Sequence, residues 1–298
     1  MSAPDSPLHF NSHAAGRAHH ILVFDSGLGG LSVAREIIRA QPQCQISYVA
    51  DTAYFPYGTK TDAELITRIE MLIEQALVKL APDLIVIACN TASTLALSHL
   101  RSRFAQPFVG VVPAIKPAAA LSLSKTIGVL ATPATVNRPY TAQLISDFAG
   151  DCRVLRFGSQ VLVAMAEASL CSEMPLLADV QKELAGLISQ PQGAGIDTIV
   201  LACTHFPLLA DTLKQAAPHI IHWVDSGAAV ARQVGVWLER LPSASGLAGP
   251  VEFYSTKPYE HLQVQHVQTL LGRELIINTE LFSSPENSAA LCATHVKN

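Results

Sequence analysis

Short apolar runs punctuate the chain: ILVF (21–24), ISYVA (46–50), LIVIA (84–88), FVGVV (108–112), TIGVLA (126–131), RVLRF (153–157), TIVLA (198–202) and IIHWV (220–224). They are rich in β-branched residues, short, and bounded by Asp, Asn, Gly or Pro, so each predicts a strand. Most are separated by stretches with helical spacing, such as Thr61–Leu80 and Ala92–Arg103. That alternation predicts an α/β fold on parallel strands. Because the runs are continuously apolar, the strands are expected to be buried on both faces, and ligands of such sheets gather at the carboxyl ends of the strands. There the chain carries Asp25-Ser26-Gly27, Asp51-Thr52, Cys89-Asn90-Thr91, Thr132-Pro133, Cys203-Thr204-His205 and Asp225-Ser226-Gly227.

Two segments look alike. LIVIACNTA (84–92) and TIVLACTHF (198–206) each run from a strand through Ala-Cys to a polar pair expected to open a helix, and ILVFDS and IGVLAT stand at comparable distances upstream. The repetition predicts two pseudo-symmetric three-layer α/β domains with parallel-rich sheets facing each other across the active-site cleft. The chain is expected to leave the first domain near Pro113, build the second over 113–224, and return with a helix over Gly227–Arg240. The first domain would then be discontinuous, 21–112 plus 225–281. Residues 1–20 are expected to form a disordered extension, Pro242–Pro250 a loop, EFYST (252–256) a short strand, and 282–298 a polar tail.

Composition narrows the chemistry. With 298 residues, 49% hydrophobic and 15% charged, the chain can bury a large core. Its formal net charge of −4 lacks the basic excess that a phosphate-backbone binder needs, so nucleic acid is not an expected partner. No apolar run approaches a membrane span, and the first 20 residues lack the apolar core of a signal peptide, so neither membrane nor export is expected. The six cysteines stand at 44, 89, 152, 171, 203 and 292 without CxxC spacing, which indicates neither a zinc cluster nor a thioredoxin motif. A reducing cytoplasm is the expected compartment.

A cysteine between a strand and a helix has its sulfur near unpaired backbone N–H groups and the positive end of the helix dipole, which favours thiolate. Cys89 and Cys203 are both expected there. One buried cysteine is most simply a core residue; two in matching contexts, each followed by ligand-orienting residues, point to paired chemistry. DSGLGG (25–30) lacks G-x-G-x-x-G spacing and carries a carboxylate at the strand end, which would repel a pyrophosphate but suits an ammonium or a thiol. His205 could hold a proton near Cys203. The aromatic loop ADTAYFPYG (50–58) could offer terminal amides to a carboxylate.

Together, DSGLGG (25–30), ADTAYFPYG (50–58), ACNTAS (88–93), GVLATPATV (128–136) and ACTHFPLL (202–209) resemble the glutamate racemases, over about residues 20–240. The resemblance implies two facing domains with substrate between them, no pyridoxal phosphate, no other cofactor and no metal, and D-glutamate supplied to peptidoglycan. It implies Cys89 and Cys203 as paired acid and base, Asp25 and His205 as their respective helpers, and Glu167 as a further helper beside the second. Asp25, Ser26, Tyr57, Gly58, Asn90, Thr91, Thr204 and His205 would line the substrate, with Thr132 and Thr135 as candidates to join them. Cys89 would act on the D form and Cys203 on the L form.

FGSQVLVAMAEASL (157–170) looks like that of enterobacterial-type members, whose extended forms respond to a peptidoglycan precursor, so such a precursor is the activator implied. Asn137-Arg138-Pro139-Tyr140 stands where some relatives carry a basic pair. Monomer and homodimer both remain open. The competing readings are an aspartate or hydantoin racemase of the same architecture, a non-catalytic amino-acid-binding protein, and a redox enzyme. Proton exchange at the α-carbon of glutamate rather than aspartate separates the first, exchange of any kind the second, and cysteine-dependent peroxide consumption the third.

Overall fold

The computed structural model describes residues 16–171, 174–278 and 281–282. Among them the strands are β1 (His20–Asp25), β2 (Gln45–Ala50), β3 (Leu84–Ile87), β4 (Phe108–Gly110) and β5 (Thr126–Ala131). β6 (Arg153–Gly158), β7 (Thr198–Ala202), β8 (His222–Val224), β9 (Val251–Ser255) and β10 (Leu275–Asn278) follow. They form two sheets, ordered β10-β9-β2-β1-β3-β4 and β6-β5-β7-β8, with every pairing parallel.

The second sheet repeats the order of the strands β2-β1-β3-β4 of the first, second-first-third-fourth, so the halves are related by topology. Cys89 follows the third strand of one set and Cys203 the third of the other. The crossovers pack on both faces of each sheet, giving three layers per domain. Along β1 the continuous apolar run divides by the two-residue period of a strand: Ile21 and Val23 join one core cluster, Leu22 and Phe24 the other. Each such side chain, fully buried, contributes roughly 1.5–3 kcal/mol of transfer free energy. In the second sheet Leu130, Ile199 and Leu201 face one cluster, and Ile127, Val129 and Val200 the other.

The predicted helix after the aromatic loop is present as Asp62–Leu80, opened by a capping box in which Thr61 and Glu64 bond each other's backbone N–H groups. It stops before Pro82, whose ring disfavours helical backbone in the residue ahead of it. The helix opening at Asn90 runs to Arg103, and the returning helix is Gly227–Leu238.

Two expectations need correction. β1 begins at His20, inside the predicted extension, because Asp83 Oδ2 accepts the His20 N–H at 2.8 Å and Ala18 is already buried. Residues 1–15, and nearly all of the predicted tail, lie outside the described residues. The expected strand over 220–224 begins only at His222. Helix Val264–Leu271 and β10 continue the fold beyond the predicted strand at 252–256, adding an edge strand to the first sheet. Among the described residues no helix is long and apolar enough to cross a membrane.

Candidate active site

The carboxyl ends of both sheets converge on one cleft, whose empty volume, counting the part open to solvent, is about 310 Å³. Its lining comes from both halves: Ser26, Tyr57, Gly58, Cys89, Asn90 and Thr91 from the first, and Thr132, Gln160, Cys203, Thr204 and His205 from the second. Each cysteine is only 6% exposed, so both sulfurs are largely screened from bulk water.

Cys89 sits at the N-cap of helix Asn90–Arg103, as expected. Its thiol is nevertheless pushed well above the ordinary cysteine value. Burial is the largest cause, reinforced by the charge of Asp25, and a backbone N–H bond from Ala92 with Ser26, whose Oγ lies 3.7 Å away, only partly offsets it. The expectation that helix-terminal placement favours thiolate therefore fails here. Desolvation outweighs the dipole, and Cys89 is held as a thiol.

Cys203 does not open an α-helix. Pro207 has no N–H with which to close an α-helical bond onto the Cys203 carbonyl, so Phe206 N donates to it instead at 3.1 Å and the chain runs through a 3₁₀ turn, Phe206–Leu209. What stands beside this sulfur is an imidazole, with His205 Nδ1 3.8 Å from Cys203 Sγ. The opposite nitrogen, Nε2, lies 2.6 Å from Glu167 Oε2. Burial, the largest influence on the ring, favours its neutral form, but the bonds to Cys203 and Glu167 outweigh burial and raise His205 well above its ordinary value. Burial likewise opposes ionisation of Glu167, and the bond and charge of His205, with donors Tyr259 and Leu28, reverse it and hold the carboxyl below its usual range. The pair is therefore imidazolium and carboxylate.

The glycines of DSGLGG leave room for these groups. A Cβ on Gly27 would stand 2.8 Å from the Glu167 carboxylate oxygens, and one on Gly29 would stand 2.3 Å from His205 Nδ1. The first domain thus lies directly against the acid-base pair of the second.

Asp25, like Glu167, does not line the cleft. It is fully buried behind the cleft wall, accepting the N–H groups of Ser26 at 2.7 Å and of Gly30, with Thr204 Oγ1 3.5 Å from its carboxylate. Burial raises it to about 6 against the pull of His205 and the two N–H donors. Ser26, not Asp25, reaches the Cys89 sulfur. The Tyr57 phenol is likewise committed, donating to Asp51 Oδ2 at 2.8 Å while Arg68 holds the same carboxylate. What the loop presents to the cleft is then its backbone around Tyr57-Gly58. Thr91 Oγ1 meets Thr132 Oγ1 and Thr135 Oγ1 across the cleft, each at 3.3 Å, and Thr132 lines the cavity while Thr135 stands behind it. Asn90 Oδ1 is buried without a hydrogen-bond partner.

Sequence reasoning did not single out Phe55, Pro56, Gln160 and Val163, which also line the cleft. Gln160 begins helix Gln160–Ser169 after β6, so the strand-end rule that found the other segments would have found it. Among the described residues no group of three or more His, Cys, Asp or Glu side chains is placed to hold a metal.

Comparison with known proteins supplies the family. The model for Asp/Glu/hydantoin racemases matches residues 22–234. The glutamate racemase of Granulibacter bethesdensis is 50% identical over 214 residues, 72% of this chain and 76% of that one. That of Shewanella loihica is 46% identical over 230 residues, 77% and 84% of the two chains. Among solved structures, Escherichia coli glutamate racemase, in complex with L-glutamate and the activator UDP-MurNAc-ala, superposes with a TM-score of 0.80. It is 38% identical, with 88% of this chain and 98% of that one covered. On a match spanning most of its length and relatives this similar, the chain belongs to the Asp/Glu/hydantoin racemase family.

Proposed function

We propose that the chain interconverts L- and D-glutamate with Cys89 and Cys203 as opposed acid and base, an isomerase reaction that supplies D-glutamate for peptidoglycan. The observation that carries the mechanism is the pairing of two equivalent cysteines, one from each half, on a single cleft.

Inverting an α-carbon requires taking a proton from one face and returning one to the other. If each sulfur approaches within about 3.5 Å, the two stand roughly 7 Å apart across the carbon. The unlike surroundings of the cysteines suit unlike protonation states. Cys89 begins as a thiol, and the imidazolium of His205 is positioned to hold negative charge on Cys203. With L-glutamate, the Cys203 thiolate takes the α-proton and the Cys89 S–H delivers its own to the opposite face. The enzyme finishes with the charge on Cys89, ready for D-glutamate. Glu167 orients and charges His205, and Asp25 organises the Ser26 turn against Cys89.

Substrate is held by Ser26, Asn90, Thr91, Thr204 and the backbone of Tyr57-Gly58, with Thr132 closing the far wall. The unpartnered Asn90 Oδ1 is an acceptor suited to the substrate ammonium. The domains divide near Pro113 and Val224, a reading supported by Ser226 Oγ, which donates to Val112 O and so ties the outgoing chain to the returning one. By likeness to the E. coli enzyme, a UDP-linked peptidoglycan precursor is the expected activator, and the cytoplasm, where such precursors are made, the expected compartment.

Single substitutions test the two-base reading. Cys89→Ser and Cys203→Ser should each abolish racemisation while retaining elimination from one enantiomer of a glutamate analogue bearing a β-leaving group. Near-normal racemisation by either variant would refute it.

A further inference from the structure

We propose that Tyr259 is a positioning residue for the second cysteine, reaching from the first domain to fix Glu167 and, through it, His205. This rests on the roles given above to Cys203, His205 and Glu167. Tyr259 lies beyond residues 22–234, where the family model matches, and in no motif of the sequence.

Glu167 has three partners. His205 Nε2 and the Leu28 N–H, at 2.9 Å, share Oε2, and the Tyr259 hydroxyl donates to Oε1 at 2.5 Å. Glu167 and His205 belong to the second domain, whereas Leu28 and Tyr259 belong to the first. Two of the three partners therefore arrive from across the cleft. Separating the domains would strip the carboxylate of both and leave His205 tethered to an unheld side chain. Closure completes the chain from Tyr259 to Cys203.

The phenol is itself well anchored. Its ring packs on Phe253 at 6.2 Å between centroids, Phe253 stacks on Tyr48 at 5.5 Å, and the Tyr48 hydroxyl donates to Gly27 O at 2.7 Å. The same loop is tied to the end of the Glu167 helix by Gln263 N, which donates to Leu170 O at 3.0 Å. Burial first, and then the neighbouring Glu167 charge, hold Tyr259 as a neutral phenol, so it can only donate. The titratable groups around Glu167 are His205, Tyr259, Asp25, Tyr48 and Cys171. Of the three donors to Glu167, only the Tyr259 hydroxyl can be deleted by an isosteric change.

The test is the pH profile of kcat/KM for Tyr259→Phe in the full chain. Losing a donor makes the Glu167 carboxylate easier to protonate, so the acid limb should move up by about one unit. On that limb kcat/KM should fall about tenfold, the scale of a hydrogen bond to a charged group, and recover toward the plateau. In a Glu167→Gln background the same change should alter kcat/KM by less than about twofold, since the two substitutions act through one group. Tyr259→Leu should move the limb equally while also lowering the urea midpoint, so a folding loss registers separately from the shift. An unmoved acid limb, or an equal fall in the Glu167→Gln background, would overturn the proposal. His205→Asn with unchanged kcat/KM would instead overturn the reading beneath it.

Discussion

Gly29→Ala probes the placement of His205 without touching any ionisable group. Gly29 lies in the turn from β1 into helix Leu31–Ala40, and it is not among the residues with positive φ, so alanine meets no backbone penalty there. The cost is contact. A Cβ would stand 2.3 Å from His205 Nδ1 and 2.7 Å from both Cγ and Cε1. Ordinary packing needs about 3.5 Å, so ring and turn must part by about 1 Å. The ring is held at Nε2 by Glu167 and faces Cys203 through Nδ1, and a retreat of that size pulls the imidazolium off the sulfur. Misplacement of about 1 Å costs on the order of 100-fold in rate, whereas overpacking of this kind costs about 1–3 kcal/mol of stability. Racemisation followed by polarimetry should therefore show kcat/KM reduced about 100-fold while urea unfolding still reports a cooperative native state. Because the enantiomers are isoenergetic, the loss must be equal in both directions. Gly150→Ala, whose Cβ would meet only Ser146 O at 3.6 Å, is the control and should leave kcat/KM unchanged. Near wild-type kcat/KM in Gly29→Ala would refute the placement of His205 as a determinant of the reaction.

Further outcomes follow from the charges. Asp25 has a folded value of about 6 against an ordinary 3.8, so the stability linked to its proton is present below the lower value and lost as pH rises through the higher. Urea unfolding should show wild type losing about 3 kcal/mol relative to Asp25→Asn between about pH 3.5 and 7; a constant difference would contradict the burial argument. His205 has a raised folded value, so its contribution is full below the ordinary imidazole value and lost above the folded one. The destabilisation by His205→Asn should accordingly shrink as pH rises through that value, and a penalty that grew would be wrong in sign. Arg138 crosses the cleft to Asp62 with bonds of 2.6 and 2.7 Å, but Asp62 is 58% exposed, so solvent screens the pair. Arg138→Ala should cost less than about 1 kcal/mol in unfolding experiments, and a loss above about 2 kcal/mol would show that the pair is not screened.

Much of this arrangement was legible in the sequence because parallel strands advertise themselves as apolar runs and their carboxyl ends as polar punctuation. The matched segments at Cys89 and Cys203 carried the pseudo-symmetry, and the strand order bears it out. Protonation was not legible. A strand-to-helix junction suggests thiolate at Cys89, but only burial within the closed cleft reveals that desolvation wins. The helix expected after Cys203 gave way to a 3₁₀ turn through one missing N–H at Pro207, a signal present in the sequence. The loop and edge strand beyond residue 256 have weaker patterns, since β10 exposes Ile276 and Ile277 on an edge, and Tyr259 has no local motif to announce it. Its partner, Glu167, is 92 residues away in the chain, a contact only the tertiary fold creates.

Deuterium placement during the first turnovers of L-glutamate in D₂O, with the purified protein and no added cofactor, bears most directly on whether two thiols address one carbon from opposite faces. Two opposed bases predict D-glutamate labelled at its α-carbon from the outset, while the remaining L-glutamate keeps its proton. Early label in both enantiomers, or D-glutamate that retains the original proton, would mean that a single group serves both faces.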